Sequence, residues 1–68
     1  MEIVAKRLLE LRTETGLGRT ALASAMKLPH SYICDWEDGK KLPGAQNIVT
    51  ICKFFGCTAD YLLGLKPE

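Results

Sequence analysis

Glycine and proline interrupt this chain at short intervals, and the spacing of these interruptions limits the fold to short helices. The breakers are Gly16, Pro29, Gly39, Gly56 and Gly64. Between them, apolar residues recur three and four positions apart, as on one face of a helix, and no segment alternates apolar with polar residues as a strand does. We therefore expect an all-α fold, a compact five-helix bundle. The expected helices span about 2–14, 19–26, 30–38, 45–55 and 59–63.

The length of the chain allows only one hydrophobic core. Its 68 residues are expected to form a single domain, 1–68, and a chain of this size buries only about 60% of the surface that its unfolded form exposes. A composition of 47% hydrophobic and 25% charged residues is ordinary for a globular protein. No apolar run approaches the roughly 20 residues that cross a bilayer, so we expect a cytoplasmic protein without a membrane partner.

The cysteines and the single histidine form no metal-binding or catalytic pattern. Cys34, Cys52 and Cys57 are an odd set without a CxxC pair, which argues against a disulfide framework and a structural zinc. His30 lies four residues before Cys34, but so small a domain offers neither an orienting acid nor a cleft for a nucleophile. We therefore expect no enzyme, no metal and no cofactor. Cys52 and Cys57 fit apolar core positions, and Cys34 is either an incidental small side chain or an exposed, oxidation-sensitive thiol.

Residues 30–39 combine an apolar edge with a polar one. Ile33 and Trp36 lie one helical turn apart and can anchor this helix to a core. The side chains that point the other way are Ser31, Cys34, Asp35 and Asp38. A helix of this kind offers a small polar face with two carboxylates to a ligand.

Several short motifs follow one another in a recognisable order. They are Gly16-Leu17, Leu22-Ala23, Ile33-x-x-Trp36-Glu37-x-Gly39-Lys40 with Pro43, and Gly56 followed by Asp60-Tyr61-Leu62-Leu63-Gly64. With this order and spacing, residues 16–64 resemble the helix-turn-helix domain of the phage-repressor and Cro family, also called the xenobiotic-response-element family. The resemblance implies a bundle of the lambda-repressor-like DNA-binding type. In that type the helix at 30–38 enters the major groove and the preceding helix crosses the DNA backbone.

The resemblance also implies roles for individual residues. The base-contacting positions are His30, Ser31 and Asp35, with Tyr32 and Cys34 at the margin. The phosphate-contacting positions are Arg19, Lys40, Lys41 and Asn47. The core is expected to contain Leu8, Leu11, Leu17, Leu22, Met26, Ile33, Trp36, Ile48, Ile51 and Phe55. Arg12 and Glu37 fall where relatives form a largely buried structural ion pair, the alternative being two solvated surface charges.

Two departures from the family pattern bear on DNA affinity. Relatives usually have Ser, Thr or Asn where this chain has Gly18, Pro29 and Gly44, so three helices lack an N-cap side chain that often binds phosphate. Asp35 stands where relatives commonly carry an amide or a basic side chain. A carboxylate there can accept a hydrogen bond from the cytosine amino group, but it also meets the field of the phosphates. We expect Asp35 to favour selectivity over affinity.

From Gly16 to Pro43 the exposed charge balance is about +2 if Glu37 is paired internally, which is modest for a DNA-binding domain, so we expect two copies to bind together. A homodimer on a palindromic operator would occupy half-sites about 34 Å apart. The expected contact is the C-terminal segment 61–65, because it is more apolar than the end of a small monomer needs to be. Its apolar members are Tyr61, Leu62, Leu63 and Leu65. The alternative is that Tyr61 and Leu62 close the core.

The sequence as a whole favours a sequence-specific transcriptional regulator of bacterial or phage origin that reads double-stranded DNA, more narrowly a repressor. The competing interpretation is a protein-interaction module on the same fold, which binds a regulatory partner such as a toxin or an antirepressor and has weak or no affinity for DNA. The low charge, the missing caps and the two aspartates on the helix at 30–38 suit that alternative.

Overall fold

The computed structural model describes residues 2–67, which form five α-helices. They are α1 (Glu2–Thr15), α2 (Arg19–Met26), α3 (His30–Glu37), α4 (Ala45–Phe55) and α5 (Ala59–Leu62). Each helix begins and ends within one residue of the range expected from the sequence, and the described residues contain no strand, so the all-α fold is confirmed. Within residues 2–67, no helix combines the length and the apolar character needed to cross a membrane.

The core lies where α1, α2 and α3 pack together, and α5 closes it against α1 while α4 contacts α2 and α5. Its enclosed side chains are Val4, Leu8, Leu22, Ala23, Met26, Ile33, Trp36, Ile51 and Leu62. Four residues expected in the core pack against its edge and are only partly buried: Leu11, Leu17, Ile48 and Phe55. Val4 and Ala23 were absent from the expected core, because they occupy helix faces whose partner becomes known only from the packing.

Three helices begin without a side-chain cap, as the sequence predicted. Gly18, Pro29 and Gly44 stand in extended conformation at the N-caps of α2, α3 and α4, and none of these caps makes a side-chain hydrogen bond. In α5, by contrast, Oγ1 of Thr58 accepts a hydrogen bond from the backbone N–H of Tyr61 at 3.1 Å. The first turns of α2, α3 and α4 therefore present backbone N–H groups that no capping side chain covers.

A Schellman turn ends α2 and places Lys27 in the left-handed region. Lys27 has φ 58° and ψ 42°, and the N–H of Leu28 donates to the carbonyl of Ala23 at 2.9 Å. Glycine is the usual residue at this position, because a Cβ in the left-handed region costs about 1–2 kcal/mol. Only residues 27–29 separate α2 from α3.

Replacing Lys27 by glycine is expected to raise the free energy of unfolding by about 0.5 to 1 kcal/mol, because relief of the backbone strain exceeds the extra freedom that glycine gives the unfolded chain. In a domain of this size, 1 kcal/mol corresponds to a Tm higher by about 4–8 °C, which calorimetry detects. Lys53→Gly is the matched control. It lies inside α4 and should lower stability by about 1 kcal/mol. A lower Tm for Lys27→Gly would contradict the strain argument.

A second Schellman turn, at the end of α4, brings two cysteines together. Gly56 has φ 71°, and the N–H of Cys57 donates to the carbonyl of Cys52 at 3.1 Å. Both thiols are half-buried, and burial together with the neighbouring Cys52 raises the pKa of Cys57 to about 11. The Cys57 thiol is therefore uncharged at neutral pH, as the packing role expected for it requires.

Arg7 of α1 holds the C-terminal segment in place. Its Nη1 donates to the carbonyl oxygens of Tyr61 at 2.6 Å and of Lys66 at 2.9 Å. The same guanidinium lies 4.3 Å from the centroid of the Tyr61 ring, in cation–π geometry. No local pattern indicates this role for Arg7, because its partner Tyr61 lies 54 residues away in the chain.

The position of Leu62 changes the expectation for the dimer contact at 61–65. Leu62 is fully buried in the core, so the alternative in which it closes the core is the observed one. A second copy cannot contact Leu62 without displacing α5. Leu65, by contrast, is 71% exposed.

Candidate nucleic-acid interface

One face of α3 packs on the body of the protein and the other is free. Ile33 and Trp36 are buried, and α3 contacts α1 and α2. The Tyr32 ring leans on Trp36, with centroids 5.7 Å apart and planes inclined by 53°. His30, Ser31 and Tyr32 are exposed. The first turn of α3 is thus fixed from behind by two buried side chains and remains accessible to a large ligand.

A cleft of about 260 Å³ separates α3 from the loop and the helix start that follow it. Its lining residues are Ser31, Tyr32, Asp35, Trp36, Lys41, Leu42 and Asn47. The cleft therefore brings together residues expected to contact bases with two expected to contact phosphate. Across it, Nζ of Lys41 lies 3.8 Å from Oδ2 of Asp35, so a cation and a carboxylate from the two sets face each other.

Behind α3, two arginines converge on the carboxylate of Glu37. Arg12 donates through Nε to Oε2 at 2.6 Å and through Nη2 to Oε1 at 3.1 Å, and its Nη1 donates to the carbonyl of Leu17 at 3.0 Å. The Glu37 side chain is 1% exposed and that of Arg12 14%. Arg12 and Glu37 thus form a bidentate, largely buried salt bridge that joins α1 to the end of α3, and not a pair of solvated charges.

Arg19, expected to contact phosphate, is engaged inside the protein. Its Nε donates to Oε1 of Glu37 at 3.0 Å and its Nη2 to Oδ1 of Asp38 at 3.1 Å. Its side chain is 36% exposed. These bonds hold the start of α2 against the end of α3, so a phosphate would have to compete with two carboxylates for this guanidinium. The role of Arg19 at phosphate stays a prediction, and the structure adds that this side chain also joins α2 to α3.

His30 and Cys34 lie side by side on the free face of α3. Sγ of Cys34 is 3.4 Å from Nε2 of His30, while the Cys34 residue as a whole is half-buried. Among residues 2–67, no group of three or more His, Cys, Asp or Glu side chains is arranged to hold a metal ion.

The succession of α2, a three-residue turn and an outward-facing α3 is the arrangement of a two-helix DNA-binding motif. Comparison with known families agrees, since residues 5–68 match the model of a family described as "Helix-turn-helix domain". The chain belongs to this helix-turn-helix family. The narrower assignment to the phage-repressor and Cro group, and the roles of individual residues at DNA, stay predictions.

A curated relative of this helix-turn-helix domain is the HTH-type transcriptional activator BcrR of Enterococcus faecalis, which is 36% identical over 58 residues. The match covers 85% of this chain and 28% of the relative, so the chain spans little more than a quarter of that protein's length. No solved structure matches the chain.

The structure shows two contacts of the helix-turn-helix interface that were not expected from the sequence. Leu42, 53% exposed, lines the cleft beside Tyr32, and Asp38, expected on the polar face of α3, binds Arg19. The signal for Leu42 was an apolar residue within the basic loop, next to Pro43. The pairing of Asp38 had no signal, because its partner lies 19 residues away on another helix.

Proposed function

We propose that this chain is the DNA-binding domain of a transcription regulator and that it reads double-stranded DNA by placing α3 in the major groove. The observation that carries the proposal is the free first turn of α3, backed by Ile33 and Trp36, in a chain of the helix-turn-helix family. A major groove about 12 Å wide accepts one helix, and a helix-turn-helix presents the N-terminal residues of its second helix to the base edges.

In this arrangement His30, Ser31 and Asp35 face base edges, with Tyr32 and Cys34 at the margin. The Asp35 carboxylate accepts a hydrogen bond from a cytosine amino group. Its distance of 3.8 Å from Nζ of Lys41 supports this role, because the nearby cation lowers the cost of bringing a carboxylate towards phosphates.

Phosphate contacts come from the α3–α4 loop and the start of α4. Lys40 and Lys41 are exposed in the loop, and Asn47 is half-buried at the edge of the cleft. Because Arg19 is engaged by Glu37 and Asp38, the loop lysines supply the main part of the attraction to the backbone.

Specific binding requires two copies on a palindromic operator, since one copy has few free cations. Leu65, 71% exposed, is the apolar side chain that the C-terminal segment offers to a homodimer. The relative's name favours an activator, whereas the sequence led us to expect a repressor. A regulator of either sign uses the same contact between α3 and DNA, because the sign depends on where the domain sits on a promoter.

The test is a titration with random and palindromic duplexes at about 50 and 200 mM salt. With Lys40 and Lys41 at phosphates in each of two copies, affinity for the palindromic duplex should fall about 100-fold between these concentrations. The alternative function is a protein-interaction module. It is favoured by the pairing of Arg19 with Glu37 and of Lys41 with Asp35, which leaves little unpaired positive charge on this face. It predicts no DNA binding at either salt concentration.

Lys40→Ala is expected to weaken binding to every duplex and to reduce the slope of log affinity against log salt by about one for each bound copy, because it removes one phosphate contact per copy. Fluorescence anisotropy over a series of salt concentrations measures both quantities. Lys6→Ala, which removes an exposed lysine of α1, is the matched control and should leave the slope unchanged. Equal slopes for Lys40→Ala and the unmodified chain would show that Lys40 does not contact phosphate.

Asp35→Ala is expected to change base preference while affinity for random DNA stays the same or rises. The substitution removes a base-reading carboxylate and frees Lys41, whose Nζ lies 3.8 Å away, for phosphate. Selection of preferred sites from a randomised duplex pool, performed with both proteins, reports the preference. Identical preferred sites would show that Asp35 reads no base.

A further inference from the structure

A second groove lies between the C-terminal end of α2 and the outer face of α4. It has a volume of about 410 Å³. Its lining residues are Ala25, Met26, Lys27, Gln46, Val49, Thr50, Lys53 and Phe54. Val49 is 44% exposed and Phe54 40% exposed, so two large apolar side chains of α4 meet solvent in this groove. They lie five residues apart, about 140° around the helix, and therefore stand at the two edges of the α4 surface that lines the groove.

The charge of this groove has one sign. Lys27 and Lys53 are its ionisable lining residues, and both are exposed lysines. No carboxylate lines it. A surface in which apolar side chains alternate with two ammonium groups complements a surface that combines apolar side chains with carboxylates.

Lys27 stands in a backbone conformation that favours glycine. Its φ of 58° lowers stability for any residue with a Cβ. The turn itself does not require lysine, because glycine forms the same Schellman motif without this cost. Residues held in such strained positions cluster at functional sites, where the side chain has a use elsewhere. The ammonium of Lys27 at the edge of an apolar groove is such a use.

The groove shares no lining residue with the cleft beside α3. The two meet at the start of α4, where Gln46 of the groove precedes Asn47 of the cleft. Separate substitutions can therefore address each of them.

We propose that this groove docks an amphipathic helix of a second protein, with apolar side chains seated on Val49 and Phe54 and carboxylates paired with Lys27 and Lys53. Helices bind grooves of this kind through apolar anchors spaced three or four residues apart. The volume of about 410 Å³ suits one or two such anchors and not a broad face of a globular domain.

The experiment uses a labelled synthetic peptide of about 15 residues, with leucines at helical spacing and glutamates on either side of them. A second peptide with the same leucines carries lysines in place of the glutamates. Anisotropy at about 50 mM salt should show the acidic peptide binding the 68-residue chain at least about tenfold more tightly than the basic one, because only the acidic peptide pairs with the two lysines.

Substitutions in the chain test whether the peptide binds in the groove. Lys27→Gly should weaken binding of the acidic peptide about fivefold even though it relieves strain in the fold, so unfolding cannot account for the loss. Val49→Glu should weaken it about tenfold or more. The matched controls are Lys6→Glu and Leu9→Glu on the exposed face of α1, and both should bind the peptide as the unmodified chain does.

Three results would overturn the proposal. The first is equal binding, or no binding, of the two peptides. The second is self-association in analytical ultracentrifugation that Val49→Glu abolishes, since the groove would then join copies of this chain. The third is a lower DNA affinity and a flatter salt slope for Lys27→Gly, since Lys27 would then be a phosphate contact. Normal DNA titrations of Val49→Glu together with lost peptide binding would support the groove as a separate site.

Discussion

Replacing Glu37 by glutamine is expected to lower the free energy of unfolding by about 3 to 5 kcal/mol. The Glu37 side chain is 1% exposed and accepts hydrogen bonds from both Arg12 and Arg19. Removing the charge of Glu37 leaves the guanidinium of Arg12, 14% exposed, without a counter-charge, and an uncompensated charge of this kind is costly where it is buried. Since small domains are stable by only about 5–15 kcal/mol, the variant should be close to unfolding at room temperature.

Urea denaturation of Glu37→Gln measures this loss, and Asp38→Asn is its matched control. Both substitutions turn a carboxylate into an amide at the end of α3, and both carboxylates bind Arg19. The Asp38 side chain is 41% exposed, so its loss should cost less than about 1 kcal/mol. Similar midpoints for the two variants would show that the Glu37 cluster contributes no more than surface ion pairs do.

Ser31→Glu is expected to reduce affinity for every duplex by about tenfold to a hundredfold. Ser31 is exposed in the first turn of α3, where a carboxylate would meet both base edges and phosphates. The substitution should not harm the fold, because the first turn of α3 has no acidic residue and a negative charge at a helix N-terminus contributes about 0.3 to 1 kcal/mol of stability. Loss of binding therefore reports contact and not unfolding.

Fluorescence anisotropy with a random and a palindromic duplex measures the effect of Ser31→Glu, and circular dichroism checks the helix content. Thr13→Glu provides the comparison, since Thr13 is an exposed hydroxyl residue on α1. It should retain the affinity of the unmodified chain apart from the small effect of net charge. Equal affinities for the two variants would place the DNA contact away from α3.

The helices could be predicted from the sequence because their signals are local. Glycine and proline at the helix ends and apolar residues at helical spacing fixed each range to within one residue. The missing caps at Gly18, Pro29 and Gly44 could be read directly as well, since the caps depend only on the residue at that position.

Tertiary partners could not be predicted from local signals. The pairing of Arg12 with Glu37 was expected only through resemblance to a family, whereas the second partner of Glu37, Arg19, became known from the approach of α2 to α3. The contact between Arg7 and Tyr61 could not be predicted either, because the two residues lie 54 positions apart and meet only when α5 packs on α1. The left-handed conformation of Lys27 was missed because glycine, and not lysine, usually marks such a turn.

The internal ion pairs reduce the number of positive charges that are available to contact DNA. Arg12 and Arg19 are positive charges that hold the helices together, and Lys41 faces Asp35. The attraction between this surface and DNA therefore depends on a small number of residues, chiefly Lys40 and Lys41. For this reason we expect affinity to respond strongly to single substitutions in the α3–α4 loop.

The most direct test of DNA reading by α3 is to map the backbone amide NMR signals of the chain during titration with a palindromic duplex. We predict that the largest shifts occur at His30, Ser31 and Tyr32 and at the loop residues Lys40 and Lys41, and that they decrease when salt is raised from about 50 to 200 mM. Shifts confined to the groove between α2 and α4, or an unchanged spectrum at both salt concentrations, would contradict the proposal.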